Sequence, residues 1–369
     1  PDVVLMTSVH PVFDTRIFHK MAVSLANSGR SVTLVAPHDK DTHVNGVDVV
    51  AVTKRRGRVS RFLLTSWQVA LKAYATGAPV CHFHDPELMP AGILLKLLGR
   101  KIVFDVHEDL PQQIGTKTWI PKVLRVPIAR VSALAEWVTA RCVDRIVAAT
   151  PPIADRFPQH KTVIVQNYPI LGELQSESGS RPRDANSSWR TVCYVGGVGK
   201  VRGAVEMVRA LEHLDDARML LAGPFETAAT EAEVRAMAGW KNVDYRGVVD
   251  RQGVREILAQ SRVGLVVLHP EPNYIVSQPI KMFEYMSAGL PVIASDFALW
   301  RKTIADAGAG LLVDPLDPKA IADAIEWIFS HEEEAGVMGQ RGKRAVQEVY
   351  NWQKEEAKLL AMYDELKPE

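Results

Sequence analysis

Cysteine is scarce in this chain of 369 residues: Cys81, Cys142 and Cys193, with no C-x-x-C spacing. That argues against a disulfide framework or a cysteine-built zinc module and suits a reducing compartment. No apolar run approaches the ~20 residues needed to cross a bilayer, and no signal-peptide pattern precedes the first strand. A cytoplasmic protein is expected. The basic-aromatic interleaving of nucleic-acid binders is missing, so no nucleic-acid partner is expected. Net charge is also nearly absent, at +1. The balance hides an asymmetry, because residues 1–170 carry 21 Lys and Arg against 13 Asp and Glu, and the remainder 23 against 30. A basic first half suits an anionic partner such as a membrane surface, a lipid diphosphate or an acidic glycan.

The length exceeds what one core sustains, so two domains are expected. Apolar runs at Val3–Met6, Val32–Ala36, Val47–Val52, Val80–Phe83, Lys101–Val106, Arg145–Ala149 and Thr162–Val165 read as strands. Helical segments Ile17–Ser28 and Met89–Leu98 alternate with them, which predicts a doubly wound parallel α/β sheet. Residues 171–190 are rich in Ser, Gly, Pro, Asp and Arg and read as a linker. A second alternating unit follows, with strands at Thr191–Val195, Arg218–Leu221, Val243–Tyr245, Gly264–Leu268, Pro291–Ala294 and Gly310–Val313. Its helices are expected near 203–213, 228–238, 250–260, 279–288 and 297–306, with another after Asp317-Pro318 and a last one near 352–366.

The most informative segment is Ser277-Gln-Pro-Ile-Lys-Met-Phe-Glu-Tyr-Met-Ser-Ala-Gly289. Pro279 suits a helix start and Gly289 the turn after its end. A helix start offers unpaired N–H groups and a positive dipole end. Lys281 adds a cation where the dipole disfavours one, so an anion is expected beside it. Glu284 lies one turn on and suits a pair of sugar hydroxyls. The same pattern also fits a core helix with Met282, Phe283 and Met286 inside.

This segment resembles the retaining family 4 (group 1) glycosyltransferases of the GT-B fold, and the resemblance covers nearly the whole chain. It implies an α/β, GT-B architecture of two Rossmann-like doubly wound domains facing a central cleft. The first domain, 1–170, would take the acceptor and the second, 191–350, the nucleotide-sugar donor. Residues 351–369 would form a helix packing back on the first domain. Glu284 would bind ribose, and Lys281 the diphosphate. Gly196-Gly-Val-Gly-Lys-Val-Arg-Gly203 is similar to the family's phosphate loop, with Arg202 on the diphosphate, Gly197 where many members carry Arg, and Lys200 as its substitute. Arg246 and Gly247 match the segment that meets the nucleobase. Many members carry a second Glu eight residues before Glu284, where this chain has Val276. Donor-sugar contacts would then fall to Asn273, Tyr274 and Ser277.

In open α/β sheets ligands bind beyond the carboxyl ends of the strands. There stand His10, His84-Asp85 and His107-Glu108-Asp109. By the resemblance His107 lies against the donor sugar and stabilises developing charge. Glu108 is a further catalytic candidate, orienting His107 or deprotonating the acceptor. The first βα loop lacks the glycines of a dinucleotide site, and Asp14-x-Arg16 stands there instead. Asp14 and Arg16, with His84 and Asp85, are read as acceptor-side residues; Asp14 equally suits a helix cap. The acids and histidines match no metal-binding spacing, and neither metal nor cofactor is expected. Residues Lys54–Arg58, with Arg61 and an apolar-rich helix through Tyr74, suit peripheral contact with anionic lipid at the inner face of the cell membrane.

The expected reaction moves a sugar, with configuration retained, from a nucleoside diphosphate sugar to a hydroxyl of a glycan or lipid-linked acceptor, in bacterial surface polysaccharide assembly. A UDP-sugar is favoured. The rival readings are a nucleotide-sugar 2-epimerase and a non-catalytic partner protein of the same fold.

Overall fold

The computed structural model is described for residues 1–55, 57, 60–116, 120–174 and 190–366. The expected linker thus lies mostly outside the described residues, as do Arg56 and Arg58. The chain forms two compact units, Pro1–Asn167 with Trp352–Glu369, and Tyr168–Asn351.

The first unit is built on eight strands: β1 Val3–Met6, β2 Val32–Pro37, β3 Thr42–Val44, β4 Val47–Val52, β5 Val80–Phe83, β6 Lys101–Val106, β7 Arg145–Ala148 and β8 Thr162–Ile164. Their order is β3-β4-β2-β1-β5-β6-β7-β8. All pair in parallel except β3 with β4. The central strands are largely apolar on both faces and buried, as a sheet covered by helices requires, with His82 on β5 and Asp105 on β6 as buried titratable exceptions. β3 is not among the expected strands. It forms a hairpin with β4 through Asn45-Gly46, both at positive φ, and that dipeptide is the signal that could have revealed it.

The second unit has six parallel strands: β9 Thr191–Val195, β10 Arg218–Ala222, β11 Val243–Tyr245, β12 Val263–Val266, β13 Val292–Ser295 and β14 Gly310–Val313. Their order is β11-β10-β9-β12-β13-β14. Two apolar clusters sandwich this sheet, one around Tyr194, Met207 and Ile325 and the other around Phe283, Met286 and Trp300.

The helix Trp352–Asp364 belongs to the first unit. Trp352 donates its indole N–H to Ser24 Oγ at 2.9 Å, and Tyr363 hydroxyl lies 2.8 Å from His82 Nδ1. Two long helices, Lys122–Cys142 and Glu332–Glu348, have no counterpart among the expected elements. The first carries Pro127 in its interior and turns most of its apolar residues outward, so its pattern resembles no core-facing helix.

The ends of β9 and β10 approach very closely. Gly223 has φ +133°, and a Cβ built there would lie 1.9 Å from the carbonyl oxygen of Gly196. Gly223→Ala is therefore expected to destabilise the second unit by about 2 kcal/mol or more. Denaturant unfolding checks the size of the loss.

Candidate functional site

The carboxyl ends of the strands in the first unit carry a closed charge network. Asp105, next to last in β6, is fully buried. A buried carboxylate must be paired, and its partner comes from the first helix. Arg16 donates through Nε to Asp105 Oδ2 at 2.9 Å and through Nη2 to Oδ1 at 2.7 Å. Its Nη1 donates to the Val165 carbonyl at 2.9 Å. His84 Nδ1 lies 2.9 Å from Asp105 Oδ2. Burial favours the neutral acid, but the Arg16 charge and hydrogen bonds outweigh it and hold Asp105 well below the usual carboxylate range.

His107 stands beside this network. Its Nδ1 is 3.7 Å from Asp105 Oδ2, an electrostatic rather than hydrogen-bonded distance. Burial lowers its pKa, but the Asp105 carboxylate more than compensates and the net shift is upward. His84 shifts downward, because burial outweighs Asp105. His107 meets His10 edge to face at 5.0 Å between centroids. Glu108 is exposed.

Asp85 fills the first βα loop from within. Its Oδ2 accepts from Thr7 Oγ1 at 2.8 Å and from the Ser8 backbone N–H at 2.5 Å, with Val9 N at 3.3 Å. A carboxylate of the protein thus occupies the N–H cluster that could otherwise receive an anion, which accounts for the absent glycines.

These contacts revise the acceptor-side set. Arg16 is spent on Asp105. Asp14 caps its helix, accepting from Arg16 N at 2.8 Å and Ile17 N at 2.9 Å. His84 and Asp85 are buried at 1% exposure each. Arg16, His84 and Asp85 present no free polar face, whereas Asp14 stays partly exposed, with its Oδ2 beside His10. Asp109 caps the next helix through Gln112 N and pairs with Arg156. Sequence reasoning placed His10 at a strand end without a role and gave Asp105 none; a lone Asp in a buried strand was the available signal for the second.

Among the described residues, one trio of potential metal ligands clusters within 4.8 Å: His82, His84 and Asp105. Asp105 is already neutralised by Arg16, so a metal ion would have to displace a bidentate guanidinium or sit against it. The trio does not fit a metal centre.

The second unit leaves a charge open. Lys281, in the first turn of the helix Ile280–Ser287, is only 7% exposed, and its Nζ has no hydrogen-bond partner. The ammonium sits 3.8 Å above the Tyr194 ring and close against Gly196. Burial, then repulsion from Arg202, lowers its pKa to about 7. Pro279 provides no side-chain cap for the helix. Arg202 lies over Gly197 and faces Tyr274. Its Nε donates to Glu226 at 2.6 Å.

Glu284 is also engaged. It accepts from Arg251 Nη1 at 2.8 Å, while Arg251 Nε and Nη2 hold Glu173, each at 2.7 Å. Asn273 Oδ1 is buried without a partner. Ser277 Oγ donates to the Tyr274 carbonyl. Gly247 accepts from Gly223 N at 2.7 Å, and Arg246 pairs with Asp244. Lys200 is drawn off to Glu233 at 2.5 Å on the surface, so it does not join Arg202 and Lys281. Glu226 and Arg251 were missed, and no local pattern announces them.

Two family models match. "Glycosyl transferase 4-like domain" covers residues 15–167, and "Glycosyl transferases group 1" covers residues 190–331. The chain belongs to the group 1 glycosyltransferases. D-rhamnosyltransferase WbpZ of Pseudomonas aeruginosa is 25% identical over 289 residues, 75% of this chain and 71% of that protein. The phosphatidyl-myo-inositol mannosyltransferase of Mycobacterium leprae is 26% identical over 187 residues, but the match spans only 47% of this chain and 46% of that one. Among solved structures, sucrose-phosphate synthase of Thermosynechococcus elongatus superposes with TM-score 0.77 at 19% identity, covering 99% and 98% of the two chains. HepE of Anabaena, solved with UDP, gives 0.74 at 11% identity, covering 99% and 100%. At these identities the structural likeness establishes the GT-B fold alone.

A buried ammonium without a partner costs stability in the ligand-free glycosyltransferase. Lys281→Met is expected to stabilise it, on the order of 2 kcal/mol, while removing the charge that an anion would meet. Because the folded pKa of about 7 lies below the ordinary 10.5, the unfolded chain binds the extra proton between those values. The gain should be full at and below pH 7 and fade as the pH climbs toward 10.5. Thermal unfolding of both proteins across that range is the check.

Proposed function

We propose that this glycosyltransferase is a retaining enzyme that moves a sugar from a nucleoside diphosphate sugar to a hydroxyl of a glycan or lipid-linked acceptor, without a metal. The observation that carries the donor half is Lys281, a buried cation lacking an anion, with Arg202 on the neighbouring loop. A diphosphate would supply the missing charge to both, and Arg202 would exchange Glu226 for phosphate oxygens. Glu284, held by Arg251, suits the ribose hydroxyls; Asn273 Oδ1 suits a sugar hydroxyl donor. UDP is favoured because HepE, of the same fold, was solved with UDP and with UDP-glucose. A lipid-linked acceptor is favoured by the activity named for the mycobacterial mannosyltransferase, and a role in surface polysaccharide assembly by WaaG, of the same fold, which is named for lipopolysaccharide biosynthesis.

Retention rests on the resemblance to the retaining group 1 enzymes. Among the described residues the buried acids near His107 are occupied, Asp85 by the first loop, Asp105 by Arg16 and Asp109 by Arg156, which disfavours a double displacement through a carboxylate nucleophile. Attack on the same face, with the departing diphosphate helping to take the acceptor proton, needs only cations to stabilise that leaving group. His107, biased toward its protonated form by Asp105, would stabilise charge developing at the sugar.

The exposed apolar surface of the first unit supports peripheral membrane contact. Along Lys122–Cys142, Val123 is 83% exposed, and Val126, Val131, Leu134 and Trp137 are exposed with it. Leu97, on an adjoining helix, is 80% exposed. Lys122, Arg130 and Arg141 stand on the same 122–142 helix, whose single acid, Glu136, is buried and paired with Arg156. Apolar side chains with cations and no exposed acid complement anionic lipid. Among the described residues no helix is long and apolar enough to span the bilayer.

Three outcomes are expected. Arg202→Ala and Lys281→Met each lower turnover by ~10²-fold or more, read as nucleotide release, and NMR of the product shows the donor's anomeric configuration. Nucleotide affinity, measured by calorimetry, falls by up to about tenfold per pH unit above pH 7, since binding must then protonate Lys281; a pH-independent affinity argues against that contact. Vesicles containing phosphatidylglycerol bind the protein and pure phosphatidylcholine vesicles do not. Removing Arg130 and Arg141 together weakens this binding by roughly thirtyfold, at ~1 kcal/mol each.

A further inference from the structure

Arg16 is the one member of the Asp14-x-Arg16 segment whose position its neighbours in sequence do not explain. Its guanidinium reaches inward rather than to solvent, and three of its nitrogens make bonds of 2.7–2.9 Å. Those bonds join three strand ends: the start of the helix after β1, Asp105 on β6, and Val165 just beyond β8. The same carboxylate oxygen that takes Arg16 Nε also takes His84 Nδ1 and is the nearest acid to His107 Nδ1. A carboxylate fixed on two sides by a planar fork has no freedom to rotate. The imidazoles that lean on it inherit that orientation.

We propose that Arg16 is a positioning residue: it locks Asp105 so that this carboxylate fixes the tautomer of His84 and sets the charge of His107. The proposal rests on the reading of His107 as the residue at the reaction centre. In this arrangement His84 carries its proton on Nδ1, donated to Asp105. Its Nε2 is then bare, and in the structure that atom is buried without a partner. A single proton on Nδ1 is also what a neutral, buried His84 requires. His107 faces Asp105 on β6, Arg16 at the start of the first helix, His84 just beyond β5, His10 from the first loop, and Glu108 as its chain neighbour. Within that set Asp105 and Arg16 act on it with opposite sign. Losing the carboxylate leaves His107 beside an uncompensated guanidinium. Losing the guanidinium leaves it beside an uncompensated carboxylate.

Nitrogen-15 NMR of the histidine side chains tests this without substrate, with His107→Gln assigning the His107 signals. In the wild-type chain one buried histidine should show the fixed Nδ1–H tautomer and not titrate. Asp105→Asn should lower the His107 midpoint by about one pH unit or more, a tenfold change in its proton equilibrium. Arg16→Gln should raise it, and Arg16→Lys should hold it near the wild-type value. In turnover, Arg16→Lys should lower kcat about tenfold with nucleotide affinity unchanged, because a lysine is not a planar fork. Finding no such Nδ1–H tautomer in the wild-type chain would overturn the proposal even if every variant failed to fold. So would a His107 midpoint that ignores Asp105→Asn. An Arg16→Lys enzyme with intact kcat and a raised acceptor KM would return Arg16 to the acceptor. Absence of UDP or GDP binding to the wild type would count against the donor reading and leave the histidine result standing by itself.

Discussion

A charge inside a protein must find its opposite, and the two units meet that constraint in different ways. In the first, every buried charge at the strand ends is answered from within. Asp105 is neutralised by Arg16, and Asp85 is wrapped by Thr7, Ser8 and Val9. In the second, Arg251 is answered by Glu173 and Glu284, but the Lys281 ammonium is left facing an aromatic ring and another cation. Among the described residues the strand-end charges of the first unit are matched, while the second holds a buried ammonium with no hydrogen-bonding anion.

That difference explains which positions could be read from the chain. The strand framework was visible because continuous apolar runs between helical segments admit few arrangements, and most boundaries fall within a residue or two. Lys281 was visible because a cation in a helix's first turn opposes the local dipole. Arg16 was not, because its partner is 89 residues away in sequence; adjacency to Asp14 suggested a shared role the fold does not give them. Lys200 stood in the right loop, yet its long side chain reaches Glu233 on the surface. Spacing places a backbone position, and the nearest opposite charge then decides where a flexible side chain goes.

The helix Lys122–Cys142 illustrates the converse failure. Amphipathic patterns are usually read on the assumption that the apolar stripe faces the core. Here much of it faces outward, and the inward positions include Glu136 and Thr139. A reading that seeks core-facing stripes finds nothing coherent in such a segment. The same inversion makes the helix informative, since a broad exposed apolar face on an ordinary domain surface calls for an occupant.

The open charge at Lys281 also bears on how donor capture and chemistry are linked. With a pKa of about 7, the ligand-free lysine is neutral in a large fraction of molecules near neutral pH. That limits the energetic penalty of burial while the site is empty. A diphosphate bound there, as proposed, would favour the charged form, so its arrival would draw in a proton and its departure release one. The electrostatic strength of the site would then rise with occupancy. A permanently charged guanidinium in that buried position could not be relieved in this way, because it keeps its proton at any accessible pH. Arg202, partly exposed, has Glu226 as a stand-in anion instead. On the proposed donor reading the two cations would reach the same end differently: Lys281 would gain full charge only with the donor present, and Arg202 would exchange Glu226 for phosphate.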